Sequence, residues 1–463
     1  MQLCHTLSAT SAVFDDPNLV SCAGLVPVLG LAARCGLGEL AGSALTVPSP
    51  NAAAKVTALV AGMVAGADSI DDMDLLRHGG MGRVFDGVRA PSTLGSFLRS
   101  FRFGHVRQLD AVAASLVVKL AGHTPLLRDA GQLTLVDIDD TVKATYGYAK
   151  QGAGYGYSTV KGLNALIGIV STVTSAPVIA ATRLRKGTVN SARGASRLVA
   201  DTLATTRRIT SQQGGAQGGA TGRGTGLVVT RADSAFYNAD VVAAISRGGS
   251  RFSITARMDK AVQAAVTTID DTSWVPIKYP NAIYDDAEHR WISDAEVAET
   301  PYTAFSTRGP DRAVSGRLIV RRVRRVNPST SADQGELLPG YRYHAVFTDS
   351  PLTMLQAEAC HRGHAIIEQV IADLKNSALA HLPSGVFAAN AAWLVCAAIA
   401  HNLTRAAGCL ASVFHAKATT ATIRTHLISV PARLARSARR LRLHLPTHWP
   451  WEHPWQALLT GIT

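Results

Sequence analysis

The chain has 463 residues, enough for about two to four domains. Apolar side chains make up 47% of the sequence, so we expect a sizeable buried core and exclude a wholly disordered chain. The formal net charge of +13 indicates a polyanionic partner. Nucleic acid is the favoured partner and an acidic membrane surface is the alternative, because the basic residues are spread over several segments and do not flank an apolar span.

The cysteines and the apolar segments predict an intracellular protein without a membrane span. No two of the six cysteines form a Cys-x-x-Cys pair, so neither a zinc ribbon nor a disulfide framework is predicted. Scattered thiols fit a reducing cytoplasm. The first sixteen residues contain Asp15 and Asp16 and no basic start, so no signal peptide is predicted. The longest apolar run, residues 391–400, is too short to cross a bilayer and is predicted to be a buried core helix.

Residues 1–130 are predicted to be helical, because apolar residues recur at helical spacing and strand-like alternation is scarce. Three arginines, Arg99, Arg102 and Arg107, fall near one of these amphipathic stretches. Two interpretations of the region are equally open. It is either an ordinary helical bundle with a solvated basic face or a domain that binds DNA ends.

A buried strand that ends in acidic residues is predicted at 133–139. Side chains alternate along a strand, so Asp137 and Asp139 point to one face and Asp140 to the other. Two carboxylates on one face repel each other and are costly to bury unless a cation lies between them. A divalent ion with oxygen ligands would meet that need. The alternative is a turn or helix cap formed by the aspartates and Thr141.

The following hundred residues contain a second acidic strand end. The glycine-rich residues 152–157 lack the Lys-Ser/Thr pair of a phosphate-binding loop and are predicted to form a hairpin turn. Residues 227–233 form an apolar strand ending in Asp233, which either binds metal or caps the next turn. The other predicted elements are strands at 165–172, 178–185 and 251–257, helices at 191–203 and 239–246, and a flexible linker at 212–226.

The order of these elements predicts a mixed α/β fold. Hairpin strands precede the first helix, so a purely parallel sheet is disfavoured. By analogy, a ribonuclease H-like core with a mixed sheet has this order. The predicted segments are a helical DNA-binding region (1–130), the first part of the core (131–261), a β-rich insertion (262–340), the last strand and helices of the core (341–416) and a basic C-terminal tail (417–463).

A long helix is predicted at 357–376. His361, His364, Glu368 and Lys375 are spaced i, i+3, i+7 and i+14, so we expect them to share one face beside an apolar packing stripe. That face would offer a carboxylate flanked by a cation and two imidazoles. A solvated face with loose charge pairs is the alternative. A zinc site on the two histidines is disfavoured, because neither a thiolate nor a further histidine motif accompanies them.

The C-terminal segment after residue 416 contains seven Lys or Arg residues and one Glu. Arg433, Arg436 and Arg440 are spaced i, i+3 and i+7, which predicts a helix with one positive face. Contact with DNA phosphates is the functional interpretation, and a solvated face or a loose tail is the alternative.

Two strand-end aspartates and a late helical glutamate, separated by a β-rich insertion, form the pattern of a two-metal nuclease or transposase. In that chemistry one ion activates the attacking hydroxyl and the other stabilises the leaving oxygen, with the ions about 3.5–4 Å apart. Mg²⁺ is the expected ion, because it prefers oxygen ligands and keeps several waters. We expect Mn²⁺ to substitute for it.

The chain resembles the DDE transposases of the insertion-sequence 1380 family. As a set the motifs are specific, although each alone is not, and the resemblance extends over nearly the whole chain. They are VDIDDT at 136–141, RADSAFY at 231–237, RFSITARM at 251–258, HRGHAIIEQVIADLK at 361–375 and RRLRLHLP at 439–446.

The resemblance implies three catalytic acids that ligate two Mg²⁺ ions. Asp139 would be the first, Asp233 the second and Glu368 the third, with Asp137 as an alternative for the first because the motif carries both. Arg231, two residues before the second acid, would either hold the substrate strand or form a salt bridge with the acids.

The last motif departs from a signature found in related transposases, Tyr-x-x-Arg-x-x-x-Glu-x6-Lys. Glu368 and Lys375 match its spacing, whereas His361 and His364 stand at the Tyr and Arg positions. Phosphate contacts near the transposon end are therefore predicted for Lys375 and His364, and Arg362 lies close in sequence.

The function implied is binding the ends of an insertion sequence, cleaving them and joining the freed 3′-hydroxyls to target DNA. Double-stranded DNA would be the partner of a homodimer in the bacterial cytoplasm, associated with the nucleoid. Two alternatives remain: a metal-dependent nuclease without strand transfer, and a catalytically inactive DNA-binding repressor.

Overall fold

A computed structural model describes residues 4–146, 150–156, 159–216, 226–277, 284–285, 290–291, 295–324, 341–438 and 440–462. The α-helices in these ranges are α1 (Leu25–Arg34), α2 (Leu37–Ala44), α3 (Ala52–Ala65), α4 (Met81–Val84), α5 (Pro91–Arg99), α6 (Phe103–His123), α7 (Ala195–Ala216), α8 (Ala239–Arg247), α9 (Lys260–Thr267), α10 (Met354–Arg362), α11 (Ile366–Lys375), α12 (Phe387–Ala411), α13 (Val413–Lys417), α14 (Thr420–Ile423) and α15 (Glu452–Thr460). The strands are β1 (Leu19–Val20), β2 (Leu133–Ala144), β3 (Gly154–Tyr155), β4 (Lys161–Thr172), β5 (Val178–Lys186), β6 (Leu227–Ala232), β7 (Arg251–Thr255), β8 (Val275–Ile277), β9 (Tyr284–Asp285), β10 (Arg290–Trp291), β11 (Ala295–Ala304), β12 (Val314–Arg324), β13 (Tyr341–Thr348), β14 (Ala432–Ser437) and β15 (Arg440–His444).

Ten strands form one mixed sheet, and its central part has the order β5-β4-β2-β6-β7. Strands β2, β4 and β5 are antiparallel neighbours, whereas β2, β6 and β7 run parallel. Helix α7 connects β5 to β6, and α8 connects β6 to β7. A three-stranded meander followed by two parallel strands with helical crossovers is the ribonuclease H topology. The mixed α/β, ribonuclease H-like fold predicted from the sequence is confirmed.

The strands of the predicted insertion continue the central sheet. Strand β13 pairs with β7, and β12, β11 and β8 follow it outwards. Charged residues pair across these strands: Arg322 lies opposite Glu296 in the register, and its Nε donates to the Glu296 carboxylate over 2.6 Å. The predicted division of the chain into five segments stays a prediction.

Helix α12 lies at the centre of the hydrophobic core. It packs against α3 and α6 of the N-terminal helical region and against strand β5. By length and composition α12 could cross a membrane, but 89% of its most apolar window is buried inside the protein. The apolar run at 391–400 therefore lies in a core helix, as the sequence predicts.

Asn402 on α12 covers the outer edge of β5, where backbone groups have no neighbouring strand. Its side chain accepts from the N–H of Ile179 (2.8 Å) and donates to the carbonyl of the same residue (2.7 Å). We expect Asn402→Ala to lower the free energy of unfolding by about 2–4 kcal/mol in urea titrations, because both backbone groups stay buried without partners. Asn402→Asp should be worse, since a carboxylate would face the carbonyl. An Ala variant as stable as the wild-type protein would contradict this role.

The predicted helix at 357–376 and the predicted linker both differ from the structure. The predicted helix at 357–376 is present as α10 and α11, and the difference is that a 3₁₀ turn at Gly363–Ala365 joins them. The linker was predicted from residue 212, but α7 continues to Ala216. The remainder of that segment, residues 217–225, lies outside the described residues.

The basic C-terminal segment forms a hairpin and not the predicted helix. Strand β14 pairs with β15 on one side and with β1 on the other, which gives a separate three-stranded sheet. Buried Ala432 and Leu434 alternate with exposed Arg433, a period of two that suits a strand. Arg433 and Arg436 are three residues apart in β14 and so point to opposite faces. The predicted shared helical face of Arg433, Arg436 and Arg440 is wrong.

Candidate active site

Asp139 and Asp233 lie side by side on two parallel strands: Asp139 is within β2, which continues to Ala144, and Asp233 directly follows β6. The register of β2 and β6 pairs Ile138 with Ala232, so its next step places Asp139 beside Asp233, with the strands about 4.8 Å apart. Burial, helped by the charge of Asp233, raises the pKa of Asp139 to about 6. Burial likewise raises the pKa of Asp233. Two carboxylates held together in a half-buried position favour the binding of a cation.

Asp137 is fully buried and forms an ion pair with Arg231. The same register places these two residues opposite each other, two residues before Asp139 and Asp233. Arg231 Nε donates to Asp137 Oδ1 (2.6 Å) and Nη2 donates to Oδ2 (2.7 Å). Arg231 is only 2% exposed. Of the two alternatives for Arg231, the structure thus contains the salt bridge, and it leaves no accessible guanidinium for a substrate strand.

The break between α10 and α11 brings His364 to this ion pair. His364 Nδ1 lies 2.9 Å from Asp137 Oδ1. Arg231 Nη1 donates to the Cys360 carbonyl near the end of α10 (2.5 Å), where a helix leaves carbonyls without partners. Position 363 has little room, since a Cβ on Gly363 would lie 2.8 Å from the guanidinium of Arg231. His364 also acts on the two site carboxylates, lowering the pKa of each.

His361 lies beside His364 and also contacts strand β7. Its Nδ1 lies 2.9 Å from Ser253 Oγ and its Nε2 lies 2.9 Å from Thr255 Oγ1, both on β7. Burial lowers the pKa of His361 to about 3, so the ring is neutral at ordinary pH. The predicted proximity of His361 and His364 is present: their rings stack with centroids 6.3 Å apart, although a 3₁₀ turn joins α10 to α11 between them. Hydroxyl groups occupy both ring nitrogens of His361, which also disfavours zinc.

Glu368 and Lys375 share one side of α11. Seven residues are about two helical turns, so these side chains lie on one face roughly 10 Å apart along the axis. Burial and nearby Lys143 lower the pKa of Lys375, while the carboxylate of Asp139 raises it, so Lys375 lies near Asp139. Glu368 is exposed. Lys143 was not predicted, although it has the same strand parity as Asp139 and could have been found from that alternation.

Asp140 and Arg362 have structural partners elsewhere. Asp140 points to the opposite face of β2, as predicted, where it forms an ion pair with Arg185. Arg362 Nη2 lies 3.1 Å from an oxygen of Glu358, one helical turn earlier on α10.

The carboxylates of Asp139 and Asp233 fit a divalent cation, although no third ligand lies close enough to share the ion with them within the described residues. Asp139 and Asp233 supply carboxylate oxygens, the ligand type that Mg²⁺ and Mn²⁺ prefer. Within the described ranges, no three His, Cys, Asp or Glu side chains lie close enough together to hold one metal ion. The predicted triad is therefore present as two neighbouring aspartates and a separate, exposed Glu368.

A comparison with known protein families matches residues 7–463 to the family described as transposase DDE domain group 1. The chain belongs to this DDE transposase family. No curated protein matches it. The transposase assignment covers nearly the whole length of the chain, including the N-terminal helices and the C-terminal hairpin as well as the sheet that carries the aspartates.

Proposed function

We propose that this transposase binds the ends of an insertion sequence, cleaves them and joins the 3′-hydroxyls to target DNA. The observation that carries the proposal is the pair formed by Asp139 on β2 and Asp233 directly after β6, on adjacent parallel strands of a ribonuclease H-like sheet. Glu368 would complete the ligand set for two Mg²⁺ ions, with Mn²⁺ able to substitute. When bound, these ions would activate the attacking oxygen and stabilise the leaving oxygen.

Asp139 is the first acid in this proposal, and Asp137 is a positioning residue. Both oxygens of Asp137 are already engaged by Arg231 and His364. Asp137 holds Nδ1 of His364, which fixes the orientation of the imidazole beside the two site carboxylates. Above its pKa of about 6, Asp139 is a charged carboxylate that can bind a cation.

The phosphate contacts near the element end are proposed for Lys375 and His364, which lie beside Asp139. Arg362 is a weaker candidate because it is paired with Glu358. The family implies DNA substrates. A homodimer that holds two ends, membership of the insertion-sequence 1380 group and a nucleoid-associated place in a bacterial cytoplasm are further parts of the proposal.

The test is cleavage of labelled DNA that carries the terminal repeats of the protein's own element, with Mg²⁺ or EDTA. We expect Glu368→Gln to lower Mg²⁺-dependent cleavage at least about 100-fold, a loss of roughly 2.7 kcal/mol of transition-state stabilisation. Glu452→Gln is the matched control, since Glu452 is also an exposed glutamate in the first turn of a helix. This control should cleave like the wild-type protein.

The products separate the alternatives. Cleavage with joined products supports a transposase, and cleavage without joining supports the nuclease. Specific binding of the ends without Mg²⁺-dependent cleavage supports the repressor. Equal cleavage by Glu368→Gln and the wild-type protein would remove Glu368 from the ligand set and leave the assignment of the two aspartates to be tested separately.

A further inference from the structure

We propose that the hairpin of β14 and β15 is a DNA-binding ribbon that lays one face into the major groove of duplex DNA. The inference rests on the proposed function for the identity of the nucleic acid, and it assigns a contact surface that is separate from the aspartates. This surface, called the ribbon face below, consists of the residue pairs Arg433–His444, Ala435–Arg442 and Ser437–Arg440.

The pairing register defines the two faces of the ribbon. Directly opposed residues of antiparallel strands point to the same side. The three pairs of the ribbon face therefore share one side, and all six residues are exposed. The other side carries Leu434 opposite Leu443 and Arg436 opposite Leu441. One face is thus polar and basic, while the other is largely apolar.

The ribbon face carries three arginines with little opposing charge. Arg433 Nε lies 3.2 Å from an oxygen of Asp16, but the Arg433 side chain is 66% exposed, so this pair contributes little stability. Within the described part of the chain, Arg440 and Arg442 form no ion pair. Arg440 and Arg442, which form no ion pair there, suit contact with phosphates and base edges.

The base of the ribbon is anchored to the N-terminal region, whereas the part nearer its tip is more exposed to solvent. Strand β1 pairs with the base of β14, and the Gly80 N–H donates to the Leu19 carbonyl (2.8 Å). Leu434 packs against Gly80, where an added Cβ would lie 2.6 Å from its methyl group. Leu434 is 7% exposed, while Leu441, nearer the tip, is 46% exposed. The base of the ribbon is therefore packed against the protein, and the exposed fraction increases from Leu434 to Leu441.

The dimensions fit a major groove. Two paired strands are about 4.8 Å apart, and the major groove of B-form DNA is about 12 Å wide, enough to admit a two-stranded ribbon. The minor groove is about 6 Å wide and is too narrow. The major groove of A-form RNA is deep and narrow, so a ribbon cannot enter it. The geometry thus favours duplex DNA over duplex RNA.

The experiment measures the salt dependence of binding to a labelled 30-base-pair DNA duplex in EDTA, where cleavage does not contribute. Each phosphate contact accounts for a slope of about 0.9 in a plot of log affinity against log salt. We expect Arg442→Gln to reduce the slope by about 0.9 and the triple change of Arg433, Arg440 and Arg442 to Gln to reduce it by about 2–3. Arg436→Gln is the matched control, because Arg436 lies at a neighbouring step of the hairpin on the opposite face, and it should leave the slope unchanged.

An RNA duplex of the same sequence and anionic phospholipid vesicles are the comparison probes, and neither should discriminate Arg442→Gln from Arg436→Gln. The proposal is overturned if the two single variants lower the DNA slope equally. It is also overturned if the triple variant keeps both the wild-type slope and the wild-type melting temperature. A third contrary result is that the arginines of the ribbon face change the binding of RNA or vesicles but not the binding of DNA. If the protein cleaves element ends but the triple variant keeps the wild-type slope of binding against salt, the DNA-binding role of the ribbon is wrong and the proposed function stands. If the triple variant lowers the slope but the wild-type protein shows no Mg²⁺-dependent cleavage, the proposed enzymatic function is wrong and the DNA-binding role of the ribbon stands.

Discussion

An Asp139→Asn variant is expected to be more stable than the wild-type protein in EDTA at pH 8 and to lose Mg²⁺-dependent DNA cleavage. Burial, with the neighbouring Asp233 carboxylate, raises the pKa of Asp139 from 3.8 to about 6. Between these values the folded protein binds more protons than the unfolded chain, so stability falls as the pH rises through that window. Above pH 6 the full cost is present, at most roughly 3 kcal/mol, and an uncharged Asn removes it.

Binding of a cation should offset the cost of the buried Asp139 charge in the wild-type protein but not in Asp139→Asn. Binding of Mg²⁺ to the folded state raises the melting temperature by mass action. The wild-type protein should therefore gain stability on titration with Mg²⁺, and Asp139→Asn should not. The gain should weaken as the pH falls below about 6, because protons then compete for Asp139. Depletion of free Mn²⁺, followed by electron paramagnetic resonance, measures the same binding without any DNA.

Asp140 is the control, because its substitution should change stability in EDTA in the opposite direction. Asp140 lies on the other face of β2 and forms an ion pair with Arg185, which is 7% exposed. Asp140→Asn weakens that pair, so it should lower stability in EDTA and leave the gain from Mg²⁺ intact. If Asp139→Asn instead lowers stability in EDTA, or retains the Mg²⁺-dependent gain, Asp139 is not a cation ligand.

The strands that carry the aspartates could be predicted because each is a short apolar run with a polar end. The runs at 133–139 and 227–233 correspond to β2 and β6. The order of elements then identified the ribonuclease H-like sheet. The pairing of these two strands also has a signal in the sequence. Asp137 and Asp139 on one strand and Arg231 and Asp233 on the next have the same spacing of two, so a parallel register pairs them in turn.

The helix break could not be predicted from spacing. Residues 354–375 have a good helical pattern, and the only local sign is Gly363. The break depends on a distant contact, in which Arg231 reaches the Cys360 carbonyl and occupies the space beside Gly363. Tertiary contacts override helix propensity at such positions. The two histidine rings still stack with centroids 6.3 Å apart, but the spacing does not predict that His361 bonds to β7 and His364 to Asp137.

In the C-terminal hairpin the spacing of the basic residues and the spacing of the apolar residues predict different secondary structures. Arginines at 433, 436 and 440 suit a helix when the basic residues alone are followed. The apolar residues decide the structure, because Ala432 and Leu434 are buried at a spacing of two. Apolar spacing is the more reliable signal, since burial of apolar side chains drives folding and exposed charges contribute little.

The buried pair of Asp137 and Arg231 supports the second large prediction. Arg231→Met should lower the free energy of unfolding by about 3–5 kcal/mol, because the fully buried Asp137 carboxylate would lose both of its bonds to the guanidinium. Asp137→Leu should cost a similar amount by leaving the guanidinium unpaired. The double variant should recover much of the loss, since an apolar pair of similar size needs no ionic partner. Urea denaturation in EDTA measures all three.

The same variants decide between the two candidates for the first acid. If Asp137 positions His364 and Asp139 binds the ion, the double variant should still deplete free Mn²⁺ through Asp139 and Asp233. It should cleave DNA more slowly, because His364 has lost the partner of its Nδ1. If Asp137 is itself the ligand, Asp137→Asn should abolish Mn²⁺ binding, and Asp139→Asn should not. A buried carboxylate bonded through both oxygens to Arg231 would have to break that pair to bind a metal, and the cost of doing so is the reason that Asp139 is the stronger candidate.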